Sequence, residues 1–120
     1  MTSAGVKKMC QGWLAVIDMD EYIDTDFESY NDFFTRKIKQ SARPFDMAPD
    51  VLCSPCDAKL SVYPINEDSV FSIKNSVYSL DKLFDSQKVA KRFVGGTLLM
   101  FRLTVDDYHR YCFPDGGEKS

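Results

Sequence analysis

An α+β fold is predicted by three observations: helical periodicity over residues 6–17 and again over 30–39, apolar–polar alternation after Pro44, and an apolar share of 44% in 120 residues. Helices lead, and a mainly antiparallel β core follows. One real core can form without staples. The 18 acidic against 15 basic side chains, for a net charge of -3, argue against a nucleic-acid partner, because a phosphate-binding domain carries a basic excess. An aromatic content of 13% with nearly balanced charge argues against disorder. No run approaches the roughly 20 apolar residues that span a bilayer; the nearest are residues 12–17 and 94–101. Any membrane contact is therefore expected to be peripheral. Residues 1–8 carry two lysines but no apolar run or cleavage site of a secretory signal. Cys10, Cys53, Cys56 and Cys112 are too few for a disulfide scaffold, so reduced thiols in a cytoplasmic setting are expected.

Taken in order, Val6, Met9, Cys10, Trp13, Leu14 and Ile17 recur at helical spacing and predict an amphipathic helix over residues 6–17. Its stripe packs on a core, or places Trp13 at lipid headgroups. The acidic stretch 18–28 breaks the pattern. Ser29 and Asp32 then resemble a capping box for a second helix with Tyr30, Phe33, Phe34 and Ile38 on its apolar face. Arg36, Lys37 and Lys39 fall in its last turns, where cations suit the helix dipole. Beyond Pro44, Ala58, Leu60 and Val62 alternate with Lys59, Ser61 and Tyr63; residues 66–69 supply a turn, and Phe71 and Ile73 face one way on the return. A hairpin of these two strands is the simplest reading. Ser79 starts a short helix with Leu80, Leu83 and Phe84, and Ser86 starts another that ends at Gly95-Gly96. Leu99, Phe101, Leu103 and Val105 alternate along a last strand that ends at Asp106.

Two clusters carry the chemistry, Cys53-Ser54-Pro55-Cys56-Asp57 and Asp107-Tyr108-His109-Arg110-Tyr111-Cys112. His109 is the only histidine, and imidazole is the side chain that exchanges protons near neutral pH. The plainer reading is a structural or surface histidine. Asp57, after a proline turn, is in the plainer reading a residue that caps local backbone. The Cys53-x2-Cys56 and His109-x2-Cys112 pairs could together offer tetrahedral zinc one nitrogen and three sulfurs. More than fifty residues separate the pairs and Pro55 constrains the first, so incidental or buried thiols are preferred and no metal is assigned.

A resemblance then narrows the choice. Tyr30-Asn31-Asp32-Phe33-Phe34-Thr35-Arg36-Lys37, Ala42-Arg43-Pro44 and Ser54-Pro55-Cys56-Asp57-Ala58 resemble the opening of phosphatidylserine decarboxylases. Farther on, residues 73–80 resemble that family's lysine-containing strand before a Tyr-Ser-Leu helix, Phe93-Val94-Gly95-Gly96 its glycine pair, and Asp107-Tyr108-His109-Arg110 its histidine motif. The ordered matches cover residues 27–117. Residues 1–28 are accordingly read as an amphipathic helix and acidic linker, and 29–120 as the N-terminal portion of a decarboxylase-like domain.

The resemblance implies a proenzyme that cuts itself before a serine in a C-terminal Gly-Ser-Thr motif and converts that serine into a pyruvoyl group. This carbonyl cofactor condenses with the amine of phosphatidylserine and serves as electron sink for loss of carbon dioxide, giving phosphatidylethanolamine. Asp57 matches the carboxylate that orients the serine-activating histidine, and His109 the histidine associated with decarboxylation. The expected partners are phosphatidylserine, a membrane surface on its cytoplasmic side, and a C-terminal segment carrying the pyruvoyl; a homo-oligomer is compatible with the sequence. Three departures stand out. No Leu-Gly-Ser-Thr occurs, so these 120 residues alone are expected to be inactive, without cofactor, and to form a β core that is incomplete without the C-terminal segment. Cys112 stands where the family has a second histidine, so either His109 has absorbed activation or the subgroup processes itself differently. Ala58 replaces a glycine, a mild change unless φ is positive there. The alternative is a decarboxylase-like module without catalysis, zinc-stabilised, that binds lipid or protein.

Overall fold

The computed structural model describes residues 10–23 and 26–118. The chain divides into two compact units, Met1–Lys59 with Arg102–Ser120, and Leu60–Phe101.

In the first unit, residues 10–14 are helical, and the turn after them closes with Val16 and Ile17 amides both donating to the Trp13 carbonyl at 3.0 Å. Residues 6–9 of the predicted helix lie outside the described residues. Cys10 and Ile17 are buried with Tyr22, Phe27 and Phe33, and Leu14 packs against them. Trp13, at 36% exposure, is not part of that cluster. Among the described residues the stripe therefore divides, Cys10, Leu14 and Ile17 going to the core and the Trp13 indole staying at the surface.

Helix α1, Tyr30–Phe34, starts as the capping pattern predicts: the Asp32 amide donates to Ser29 Oγ at 3.1 Å. The Asp32 carboxylate reaches back to the Glu28 amide at 3.2 Å. The helix does not continue to residue 39. Thr35 Oγ1 donates to the Asn31 carbonyl at 2.8 Å, closing the last turn, and the chain then runs extended. Lys37 O accepts from the Ile23 amide at 2.9 Å and the Lys39 amide donates to Glu21 O at 2.8 Å, so Ile38 pairs with Tyr22 in an isolated antiparallel bridge. Arg36 is correspondingly no dipole-facing surface cation. It is 2% exposed, inside the core.

The second unit holds four strands, β1 (Lys59–Pro64), β2 (Val70–Ile73), β3 (Ser76–Ser79) and β4 (Thr97–Arg102), in two two-stranded sheets. The expected β1–β2 hairpin does not form: β1 pairs with β4, and β2 pairs antiparallel with β3. The reason lies at Lys74-Asn75. Both take positive φ, 47° and 65°, so a two-residue turn of the kind that matches strand twist folds β2 onto β3 with Phe71 opposite Tyr78. The lysine of the family-like motif thus sits in a turn rather than a strand. Residues 66–69 do turn, the Ser69 amide donating to Asn66 O at 3.1 Å, but that turn only redirects the chain.

Helix α2 (Leu80–Phe84) closes at Asp85 with φ 50°, and α3 (Gln87–Ala90) is capped by Ser86 Oγ accepting from the Val89 amide at 3.3 Å. A 3-10 turn, Lys91–Phe93, follows. The glycine pair is needed for two different reasons: Gly95 has φ 85°, and a Cβ on Gly96 would lie 2.9 Å from the Phe93 carbonyl oxygen. Both then bind Ile65, whose carbonyl accepts from Gly95 and whose amide donates to Gly96 O, which fixes the start of β4 against the end of β1 in antiparallel sense. The core of this unit is Ile65, Phe71, Leu80 and Ala90, with Leu98 and Met100 from β4 packed on it. Leu60 and Val62 on β1 remain 51% and 58% exposed. The last strand ends at Arg102, not Asp106, because the Thr104 amide and hydroxyl turn onto the Asp107 and Asp106 carboxylates, each at 2.6 Å.

Candidate active site

The first unit brings together the two sequence clusters. The Cys112 amide donates to the Pro55 carbonyl at 2.8 Å, across 57 residues, and its thiol lies 3.5 Å from the same oxygen. The Asp57 turn and the His109 segment therefore share a backbone contact.

Asp57 is held by Arg43. Nε lies 2.8 Å from Oδ1 and Nη2 lies 2.7 Å from Oδ2, the two-pronged geometry in which a planar guanidinium matches a carboxylate. Arg43 Nη1 reaches Glu21 at 3.0 Å as well, and hydrogen bonds to Asp57 first and Glu21 second hold the guanidinium pKa far above its ordinary range. Arg43 precedes Pro44, which disfavours helical backbone there; with φ -132° it ends the 3-10 turn Gln40–Ala42. Periodicity does not reveal this partner. Only its place in the Ala-Arg-Pro motif hinted at it.

His109 lies against Phe34 at the end of α1, ring centroids 4.0 Å apart and planes at 38°. Its Nδ1 is 3.0 Å from the Asp107 carbonyl. A carbonyl only accepts, so this contact is a hydrogen bond in the forms of the ring that carry a proton on Nδ1. Among the described residues Asp57 and His109 make no hydrogen bond to each other. Arg110 anchors the segment from its other side, donating to Thr35 O from Nε at 3.0 Å and Nη2 at 2.9 Å.

Arg36 was hidden by its apparent place in a helix end. The helix stops at Phe34, so no helical or strand period marks Arg36 as a core residue. The guanidinium lies over the Tyr22 and Phe33 rings, 4.6 and 5.0 Å from their centroids, and donates to the Asp106 and Asp107 carbonyls at 3.1 and 3.0 Å.

The thiols go separate ways. Cys53 donates to Asp46 O at 3.2 Å, and Cys56 has its pKa raised, first by burial and then by Asp57, Cys112 and Asp107 nearby. Among the described residues no group of three or more His, Cys, Asp or Glu side chains could hold a metal ion. No described helix is long and apolar enough to cross a membrane.

Comparison with known proteins gives this geometry a context. Residues 30–120 match the family model for phosphatidylserine decarboxylase. Phosphatidylserine decarboxylase proenzyme 2 of Clostridium acetobutylicum is 50% identical over 101 residues, covering 84% of this chain and 35% of the relative. The proenzyme of Clostridium perfringens is 47% identical over 93 residues, 77% of this chain and 32% of the relative. That of Fusobacterium nucleatum is 41% identical over 107 residues, 87% of this chain and 36% of the relative. The chain spans about a third of the length of these relatives. The match runs through α1, the Asp57 turn, both sheets and the His109 segment, and by it the chain belongs to the phosphatidylserine decarboxylase family.

Proposed function

We propose that this chain is the N-terminal part of a proenzyme that decarboxylates phosphatidylserine to phosphatidylethanolamine, with Asp57 serving self-cleavage and His109 serving proton handling at the substrate. Residues 29–120 are its decarboxylase-like portion. The observation that carries the reading is the Cys112–Pro55 backbone bond, which brings two motifs that the family shares into one unit from 57 residues apart.

A pyruvoyl group, formed from a serine farther along such a proenzyme, supplies the electron sink for decarboxylation. The residues here suit that chemistry: one imidazole whose Nε2 makes no hydrogen bond among the described residues, and one carboxylate held by an arginine fork. Proton transfer by a positioned imidazole contributes about 10²–10⁴-fold. The ring lies against Phe34, and its Nδ1 faces the Asp107 carbonyl. Asp57 keeps lone pairs beyond those Arg43 uses, so it can still orient a base during self-cleavage. Cys112, beside the same turn, stands in the place of the second family histidine. Trp13, left at the surface, fits peripheral contact with the cytoplasmic face of a membrane, where the lipid substrate lies.

The test uses a chain extended through the Gly-Ser-Thr segment. Asp57→Ala is expected to stay uncut. His109→Ala is expected to cut normally but turn over at least 100-fold more slowly, the loss a general acid–base group leaves. If His109 has absorbed activation, both variants stay uncut and Cys112→Ser cuts normally. Normal cleavage and normal carbon dioxide release in both Asp57→Ala and His109→Ala overturn the assignment.

A further inference from the structure

Arg36 is 2% exposed and sits among aromatic rings, and its hydrogen-bond partners among the described residues are neutral: Tyr22 Oη at 3.3 Å and the carbonyls of Phe33, Asp106 and Asp107 at 3.3, 3.1 and 3.0 Å. Its Nε makes no hydrogen bond among the described residues. Burying a guanidinium is costly, and here the return is concentrated on one short piece of backbone, the two carbonyls just before His109.

The Asp107 carbonyl is the point of convergence. Arg36 Nη2 and His109 Nδ1 both lie 3.0 Å from it, and an sp² oxygen has two lone pairs, enough for both donors. The charged donor holds the oxygen in place, and the oxygen in turn offers an acceptor only to the ring nitrogen that faces it. Arg110 completes the arrangement in the opposite direction, from the histidine segment back to Thr35 O at the end of α1. Two arginines thus tie the end of α1 to residues 106–110, but only Arg36 touches the carbonyl that the imidazole uses.

We propose that Arg36 is a positioning residue which, through the Asp107 carbonyl it shares with His109, holds the imidazole in its Nδ1–H tautomer and leaves Nε2 as the free base. The tautomer that an unconstrained histidine prefers, Nε2–H, has the opposite arrangement and would block Nε2 as an acceptor. The catalytic consequence rests on the reading of His109 given above; the tautomer itself does not, and it can be measured in this chain.

His109 is the only histidine, so a long-range proton–nitrogen correlation spectrum of the uniformly labelled 120-residue chain, taken where imidazole is neutral, reports it without ambiguity. The expected spectrum shows Nδ1 as the protonated, pyrrole-like nitrogen and Nε2 as the bare one; a predominantly Nε2–H ring in the native chain overturns the proposal. In Arg36→Gln the ratio of Nδ1–H to Nε2–H is expected to fall roughly tenfold, the scale of one net hydrogen bond to a charged group. Arg110→Gln, which loses the Thr35 bonds alone, is expected to keep the native ratio. An unchanged ratio in folded Arg36→Gln, or an equal fall in both variants, overturns it. Where Arg36→Gln does not fold, Arg36→Lys is read in its place: it keeps the charge without the fork, a partial fall is expected, and an unchanged ratio overturns the proposal. A native Nδ1–H ring in a chain whose extended form works normally as His109→Ala would sink the assigned role of His109 while leaving its coupling to Arg36 intact.

Discussion

The two units of the chain are held together by different means. In Leu60–Phe101 the joints are backbone ladders and caps: β2 on β3, β1 on β4, a two-residue turn, a serine cap and a glycine pair. In the other unit regular structure is scant, and the long joints are side chains reaching backbone or carboxylate: Arg36 to residues 106 and 107, Arg43 to Asp57, Arg110 to Thr35. Ladders join main chain to main chain and tolerate changes of side chain. Arginine joints do not, because each fixes two distant segments through one planar group. The candidate active site lies in the unit built the second way, where groups must be placed more finely than a two-stranded sheet can place them.

The strongest test of this contrast compares two buried phenylalanines. Phe33→Ala and Phe71→Ala each remove a core ring, at a cost of about 3–5 kcal/mol. Both rings have an edge-on aromatic partner, Phe27 at 5.4 Å for Phe33 and Tyr63 at 5.9 Å for Phe71, but only Phe33 also lies under the Arg36 guanidinium. Its loss is therefore expected to cost roughly 1 kcal/mol more than that of Phe71 in denaturant titration. Equal costs would mean that the arginine–aromatic cluster adds nothing beyond area.

The next effect belongs to the ladder unit. Asn75 has φ 65°, which asparagine tolerates and a β-branched side chain does not. Asn75→Val is expected to cost about 1–2 kcal/mol and to loosen the β2–β3 amides in hydrogen exchange, leaving the Asp57–Arg43 pair unaffected. Arg43→Ala should cost less, below about 1 kcal/mol, since the ion pair is largely solvent-exposed. Its larger effect is expected in self-cleavage of the extended proenzyme, because Asp57 loses its fixed orientation; unaltered cleavage would make Arg43 a surface residue and no more.

The smallest effect is a pH dependence. Burial is the main cause of the raised pKa of the Cys10 thiol, with the Arg36 charge lowering it in part. The folded chain therefore binds this proton more tightly than the unfolded chain. Stability is unaffected below the ordinary thiol range and falls as pH rises through it toward the higher folded value. Melting temperature followed into alkali is expected to drop less steeply in Cys10→Ala than in the native chain; parallel curves would remove Cys10 as the source.

Local chemistry was readable in advance where it involves neighbours in sequence. The Ser29 cap, the Ser86 cap and the short Leu80–Phe84 helix follow from residues within one turn of each other, and the structure has them all; the Ser86 helix, though, ends at Ala90, and Gly95-Gly96 follow a separate 3-10 turn instead of capping it. The errors share one cause. Pairing β1 with β2, running α1 to Lys39 and extending β4 to Asp106 each treated a segment by its own periodicity, whereas a turn at Lys74-Asn75, a buried arginine and a threonine with two aspartates redirected the chain.

The sequence by itself determined the α+β class, the family, and the two motifs that contain Asp57 and His109, because composition, spacing and motif order are properties of the linear chain. Tertiary structure alone decided that these motifs meet through Pro55 and Cys112, that Arg43 grips Asp57, and that Arg36 is a core residue sharing a carbonyl with His109. The Cys112–Pro55, Arg43–Asp57 and Arg36–Asp107 contacts join residues too far apart in sequence for any helical or strand period to relate them, and a guanidinium's choice between solvent, carboxylate and carbonyl depends on which of them folding brings within about 3 Å.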